Sequence, residues 1–401
     1  MILDWAKYAE RLDADSARNF ARLIAALNIA TLVLLVATSN DGVDAAGHLL
    51  GTDFISFWTV GRMLVDGANV YDAALHARIQ AEYFSSGTGY AAFFYPPVAL
   101  FICLPLGLLS YFPALGAWLL TTGAAFVAAV RLWCRRIGFD CPRWFWFAAF
   151  PPVLITITHG QTSFLSAALL GTGAILVRSR PELAGCLFGL AAFKPQFGVL
   201  VPVVLVLTGE WRAIVSAVAT VGLVAGGTTL AFGSAVWSDW FALSSAAHEA
   251  MAQGVIGHAK MQSPFAALVL LGAGLPAAYV CQAIVSLAVV GGVIWASRGR
   301  EYSPALASLT LAGAPLTTPF ILDYDLLLLA FPLLWLAATG YRPWEKAVSA
   351  AAFMAGAFSR PLAMKFGIPI MPLLLIVLFV TVLRRITSEV SSPPCFSLRA
   401  S

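Results

Sequence analysis

The sequence predicts an all-α protein that crosses a lipid bilayer many times. Three observations carry that reading. Hydrophobic residues make up 60% of the 401 residues, charged residues only 11%, and apolar runs follow one another from end to end. A soluble domain carries about 25% charged residues, and its folded surface must stay wettable, which this composition does not allow. The 22 prolines and 33 glycines suit helices in lipid, which tolerate them better than helices in water. A net charge of +4 is no nucleic-acid signature. It reflects Lys and Arg kept in the loops of one membrane face.

Taken in order, the apolar runs lie near 22–38, 94–112, 113–131, 144–158, 162–177, 183–208, 213–232, 264–296, 304–339, 347–358 and 367–384. The longer runs hold two passes each. The expectation is a bundle of about 10–12 helices, several shorter than the ~20 residues of a full span and therefore tilted or re-entrant. Residues 1–22 are charged and amphipathic, and Leu23–Ala37 reads as a retained first span rather than a cleaved leader. Residues 1–390 form one transmembrane domain with its first outer loop at 39–93. The polar tail 391–401 is expected to be disordered and cytoplasmic. Cys103, Cys134, Cys141, Cys186, Cys281 and Cys395 show no regular spacing and read as packing residues.

Basic clusters set the orientation. Lys7, Arg11, Arg18 and Arg22 open the chain. Arg131, Arg135, Arg136 and Arg143 follow, then Arg178 and Arg180, Arg212, Arg298 and Arg300, Arg342 and Lys346, and Arg384 and Arg385. The positive-inside rule places them all in the cytoplasm. Gly51–Tyr95, His159–Gln161, Lys194–Gln196, Phe232–Ser263 and Thr317–Asp325 then share the opposite face. Two places strain this scheme. Two full passes between Tyr95 and Arg131 would put the arginines outside, so one of 94–112 and 113–131 is expected to be re-entrant. The run 183–208 is either one span holding Lys194 or a hairpin with Lys194 at its tip. A mid-bilayer lysine costs at least ~2.5–3.5 kcal/mol, which favours the hairpin or a watery cavity.

The outer segments hold the residues able to carry chemistry. In Gly51–Trp58, Phe54, Phe57 and Trp58, with Met63 and Leu64, give an apolar face at helical spacing. That predicts a helix lying in the interface, with Thr52 as cap and Asp53 in its first turn. Two readings fit Asp53: an acid at a helix N-terminus, or a general base for an acceptor hydroxyl. Asp72 reads as the cap of a helix over 73–84. Arg62 either snorkels to headgroups or holds an anion. Pro96 and Pro97 start a span and aim Tyr95 at the outer mouth. His159 and Gln161, around Gly160, are able to bond sugar hydroxyls. Lys194, beside Gln196, demands a partner, either a phosphate or a carboxylate such as Asp53. His258 and Lys260 are further candidates for an anion. Asp323 and Asp325 flank Tyr324, and two acids at one spot exceed what a cap needs. No metalloprotease, P-loop, nucleophile-elbow or dinucleotide motif is present.

These segments occur in the order G-T-D-F-x-x-F-W, G-R, Y-D, Y-P-P, G-Q, K-P-Q, K-M-Q-S and P-x-x-x-D-Y-D. Together they resemble the bacterial integral-membrane glycosyltransferase family 87 of the C-type superfamily, over about residues 45–340. The resemblance implies a polyprenyl-phosphate-linked donor, often of mannose, and a lipid or glycan acceptor. It implies inverting transfer on the periplasmic face of the inner membrane, with the first-loop acid, here Asp53, as base. Tyr71 falls in the matched Y-D. Some relatives carry a histidine in the late outer loop, where this chain has Phe320–Leu322. Lys194, Lys260, His258 and Arg62 are the cations available for a phosphate leaving group. No ligand cluster requires a metal, although Asp53 with Asp323 or Asp325 would suit a divalent cation if they converge. The rival readings are a transporter or lipid-linked sugar flippase, against which the missing repeat symmetry counts, and a non-catalytic membrane subunit.

Overall fold

The apolar runs fold as helices. The computed structural model describes residues 13–83, 89–254 and 257–388, and among these there is no strand, only isolated bridges. The expected tail 391–401, with Cys395, and the early Lys7 and Arg11 lie outside the described residues. In chain order the helices are α1 (Ala14–Ala37), α2 (Phe54–Val65), α3 (Ala73–Tyr83), α4 (Leu100–Gly107), α5 (Tyr111–Ile137), α6 (Trp144–Ala149), α7 (Pro151–His159), α8 (Ser163–Leu176) and α9 (Pro181–Leu190). There follow α10 (Leu200–Leu207), α11 (Trp211–Phe232), α12 (Ala235–Ala252), α13 (Pro264–Leu270), α14 (Leu275–Ser297), α15 (Pro304–Gly313), α16 (Ala330–Ala338), α17 (Glu345–Phe366) and α18 (Met371–Ser388).

Among the described residues, six helices are long and apolar enough to cross a bilayer unaided: α1, α5, α11, α14, α17 and α18. The other apolar runs are broken into shorter pieces. On α11, Val215, Val218, Leu223 and Leu230 stay exposed, Leu230 by 90%, a face that water would penalise and lipid accepts.

Breaking the runs resolves both strained places. Residues 97–107 are a 3-residue 3-10 turn and the 8-residue α4, about 16 Å of rise against the ~30 Å of a hydrocarbon core. This piece packs on α2 and is too short to span such a core alone. A Cβ on Gly61 would meet the Cys103 carbonyl oxygen at 2.3 Å, so the two backbones touch where only glycine fits. The crossing falls to the 27-residue α5, with Arg135 and Arg136 in its last turn. Of the two runs only α5 has the length and apolarity of a span, which fits the expectation that one of them does not cross fully.

The run 183–208 is a hairpin. α9 ends in a 3-10 turn at Ala191–Phe193, Pro195–Phe197 forms another, and Lys194 stands between them. At the open end Arg178 pairs with Glu210 at 3.2 Å, and Arg212 pairs with Glu182. The two arms thus start and finish on one side. The run 304–339 also breaks, with α15 and α16 separated by two 3-10 turns, Ala314–Thr317 and Asp323–Leu329, and the residues 318–322 between them.

The two largest apolar clusters hold most of the helices together. The larger draws on α5, α8, α10 and α14 through α18. The second gathers α2, α4, the start of α5, Phe93 and Phe193. Every residue from Phe54 to Gly61 is buried. The sequence favoured a helix with one face in the headgroups. The structure corrects this: protein covers α2 on all sides over those residues, because α4 supplies the second apolar surface.

Candidate active site

Thr52 does not cap α2. Its Oγ1 is buried without a hydrogen-bond partner. Asp53 takes the N-cap position with φ −98° and ψ −22°, and its carboxylate makes no capping bond. The end of α7 anchors this backbone instead: Gly51 N–H donates to Thr158 O at 3.1 Å and Asp53 N–H to His159 O at 3.0 Å. Gly160 permits the docking. Its φ is +65°, and a Cβ there would meet Phe54 Cβ at 2.5 Å, so glycine is required by conformation and by space.

Released from capping, the half-buried Asp53 carboxylate faces Gln161, whose Nε2 donates to Oδ2 at 2.9 Å. Gln161 is the hub of the cluster. Nε2 also donates to Tyr324 Oη at 3.1 Å, while Oε1 accepts from Tyr95 Oη at 3.2 Å and from Thr162 N–H at 2.9 Å. Tyr95 is propped from behind. Tyr71 Oη donates to its carbonyl at 3.0 Å, and the Gln80 side chain bonds both the N–H and the carbonyl of Ala91. Tyr71 therefore supports Tyr95 from outside the cluster. Asp72 caps α3 as expected, accepting from Ala74 and Leu75 N–H at 3.0 Å.

Lys194 finds its partner in Asp325 rather than in Asp53. Nζ donates to Oδ1 at 2.8 Å, with the side chains 6% and 3% exposed. Ser163 Oγ donates to the same oxygen at 2.8 Å. The rings of Tyr324, Phe197 and Tyr95 surround the ammonium, their centroids 5.4, 5.6 and 5.9 Å away. Pairing, a hydroxyl and π-faces together offset the desolvation of this charge. Asp323 has its own cation. Arg360, from α17, lies 3.5 Å from its Oδ2, with Asp323 2% and Arg360 27% exposed. His159 donates from Nδ1 to Ile155 O at 2.9 Å, which leaves Nε2 as the acceptor nitrogen. Its ring stands 5.9 Å from that of Tyr324.

The late loop joins the same face. Gln262 N–H donates to Ile321 O at 2.8 Å and Ser263 Oγ to Pro319 O at 2.5 Å. That brings Lys260 to the residue next to the Met261–Leu322 bridge, beside the Asp323 segment. Asp53, Tyr95, His159, Gln161, Lys194, Asp323, Tyr324 and Asp325 thus meet in one network, with Lys260 on its margin.

Other expected residues stand apart. Arg62 bonds the Gly107 carbonyl at 3.2 Å, nine residues along α2 from Asp53 and about 13 Å away by helical rise. His258 bonds the Ala252 carbonyl at 3.0 Å and packs on Phe265. Gln196 is half-buried next to Lys194 and does not enter the network. Sequence reasoning missed Arg360, Ser163 and Thr162. An arginine closing an apolar helical run is itself a signal; two hydroxyls among many gave none. Among the described residues no group of three or more His, Cys, Asp or Glu is gathered as a metal shell, and Asp323 and Asp325 each face a cation.

The family model for glycosyltransferase family 87 matches residues 93–322. That stretch contains Tyr95, His159, Gln161, Lys194 and Lys260. Asp53 precedes it, and Asp323 and Asp325 follow it directly. No curated protein and no solved structure matches the chain. With more than half its length in the match, the chain belongs to glycosyltransferase family 87, and it is a membrane glycosyltransferase.

Proposed function

We propose that the protein transfers a hexosyl group, mannosyl by first choice, from a polyprenyl-phosphate donor to a lipid or glycan acceptor, with inversion at the anomeric carbon. The observation that carries this reading is the Asp53 carboxylate. It is half-buried, neither caps its helix nor forms an ion pair, and is aimed by one amide. A carboxylate so held is suited to take the proton of an acceptor hydroxyl. The acceptor oxygen bonds to the anomeric carbon as the bond from that carbon to the phosphate oxygen breaks. The polyprenyl phosphate leaves with the electron pair, and the hydroxyl proton passes to Asp53.

The leaving phosphate needs fixed positive charge. Lys194 is committed to Asp325 and walled in by rings, so its role is to hold Tyr95, Tyr324 and the 3-10 turn in place. Arg360, more exposed and loosely paired, and Lys260 on the adjoining loop are better placed for the phosphate. His159 Nε2, Gln161 and the two tyrosines would contact sugar hydroxyls. The network lies at the opposite helix ends from Arg135, Arg178, Arg212 and Arg300. That supports a site on the non-cytoplasmic face of a bacterial inner membrane, with the N-terminus in the cytoplasm.

The test is transfer by purified protein in lipid, offered polyprenyl-phosphate mannose, glucose or arabinose and a mixed acceptor pool. The expected product carries the inverted anomeric configuration, formed fastest from the mannosyl donor. Transfer from a nucleotide sugar with no lipid donor present would overturn the donor assignment, and retention of configuration would overturn the role of Asp53.

A further inference from the structure

α1 and α6 touch without closing on each other. Asn28 Nδ2 donates to the Ala148 carbonyl at 2.7 Å, and Ala21 and Ala25 seat against Phe145 and Ala149. Beside this contact a groove of about 640 Å³ lies open. Arg22, Arg143 and Trp144 form its polar end, and Ile29 and Val33 line its apolar part. From Arg22 to Val33 the lining follows one stripe of α1, about 16 Å by helical rise, which is the depth of one leaflet of a ~30 Å core.

The polar end is prepared for an anion. The Arg22 guanidinium sits 5.4 Å from the Phe145 ring centroid, a stacking that orients it. Among the described residues neither Arg22 nor Arg143 has an acidic partner. Trp144 is 68% exposed, as indoles at the headgroup level are. This end of α1 is the basic end of the bundle, away from Asp53, so the groove stands independently of the proposed chemistry. Basic pockets between helices on the cytoplasmic side are suited to anionic headgroups.

We propose that this groove binds an acidic phospholipid of the leaflet at the basic end, its phosphate between Arg22 and Arg143 and an acyl chain along Ile29 and Val33. The test is native mass spectrometry of the full chain in detergent, titrated with phosphatidylglycerol or with phosphatidylcholine. The wild type is expected to retain one phosphatidylglycerol much more tightly than phosphatidylcholine. Arg22→Gln/Arg143→Gln should weaken phosphatidylglycerol about 30-fold, from ~1 kcal/mol per basic residue, and leave phosphatidylcholine unchanged. Ala30→Trp keeps both arginines but fills the groove, and should also release the lipid; size exclusion checks that each variant is monodisperse. Equal retention of the two lipids by wild type, or unchanged phosphatidylglycerol binding in either variant, would overturn the proposal. So would displacement of phosphatidylglycerol by an equal amount of polyprenyl phosphate, which would assign the groove to the donor's tail.

Discussion

Two buried ion pairs lie at opposite ends of the bundle, and their surroundings differ. At the basic end Arg385 pairs with Glu345, the side chains 7% and 9% exposed. Glu345 also accepts from Arg342 N–H at 2.8 Å, and Arg385 donates to the Thr339 carbonyl at 2.8 Å. Each charge thus also bonds the backbone of the turn joining α16 to α17. At the other end Lys194 and Asp325 are as deeply buried. Asp325 Oδ2 accepts one long backbone bond, from Leu322 N–H at 3.4 Å, and the remaining neighbours are side chains: Ser163, Tyr95 and Tyr324, and through the tyrosines Gln161 and Asp53. One pair staples a loop. The other holds the wall of a site. Burial alone does not distinguish them, but the identity of the remaining partners does.

The largest effect is expected at Lys194. Lys194→Met leaves Asp325 buried without its cation, which costs about 3–5 kcal/mol, and transfer should disappear. Adding Asp325→Asn should restore much of the thermal stability without restoring transfer. Recovery of transfer in the double variant would reduce this pair to a staple as well. Glu345→Gln should lower the melting temperature comparably while the folded fraction keeps its transfer rate per molecule.

A smaller effect is expected at Arg360. Arg360→Gln should raise the KM for the lipid-linked donor at least ~10-fold, the loss of about one charged hydrogen bond, with kcat less affected. An unchanged KM would remove Arg360 from the phosphate site.

The smallest effect concerns His76, on α3 against the Tyr90 ring. Burial lowers its pKa from 6.5 to about 4, and its Nε2 donates to the Ser56 carbonyl at 3.2 Å. The unfolded chain binds the proton first, so stability is full above pH 6.5 and is lost as pH falls from there towards 4. His76→Gln should flatten thermal stability between pH 7.5 and 5. A variant with the same pH slope as wild type would place the titration elsewhere.

Much of this was legible because membrane chemistry is restrictive. Lys194 amid apolar residues had to have a partner and a break in its helix, and it has both. The basic clusters called for one full pass between Tyr95 and Arg131, and of the helices there only α5 has the length and apolarity for it. The outer motifs pointed to a common face, and the network joins them. What escaped the sequence was long-range partnership. Nothing in 194–196 says that Asp325 rather than Asp53 will meet the lysine. Arg360 lies 37 positions from the acid it pairs with. Arg62 failed for a local reason: it shares a helix with Asp53, and helical rise carries it to the far end. Thr52 and Asp53 fit the sequence pattern of a helix start, yet docking by α7 replaced the cap and left the carboxylate for Gln161.

Everything proposed for the chemistry turns on Asp53 as the base. The most direct test compares wild type and Asp53→Asn in sugar transfer from the polyprenyl-phosphate donor, with melting temperature and detergent monodispersity measured in parallel. The expected result is an intact fold and transfer reduced at least ~100-fold, the low end for acid–base catalysis. A folded Asp53→Asn protein that turns over at the wild-type rate would contradict it.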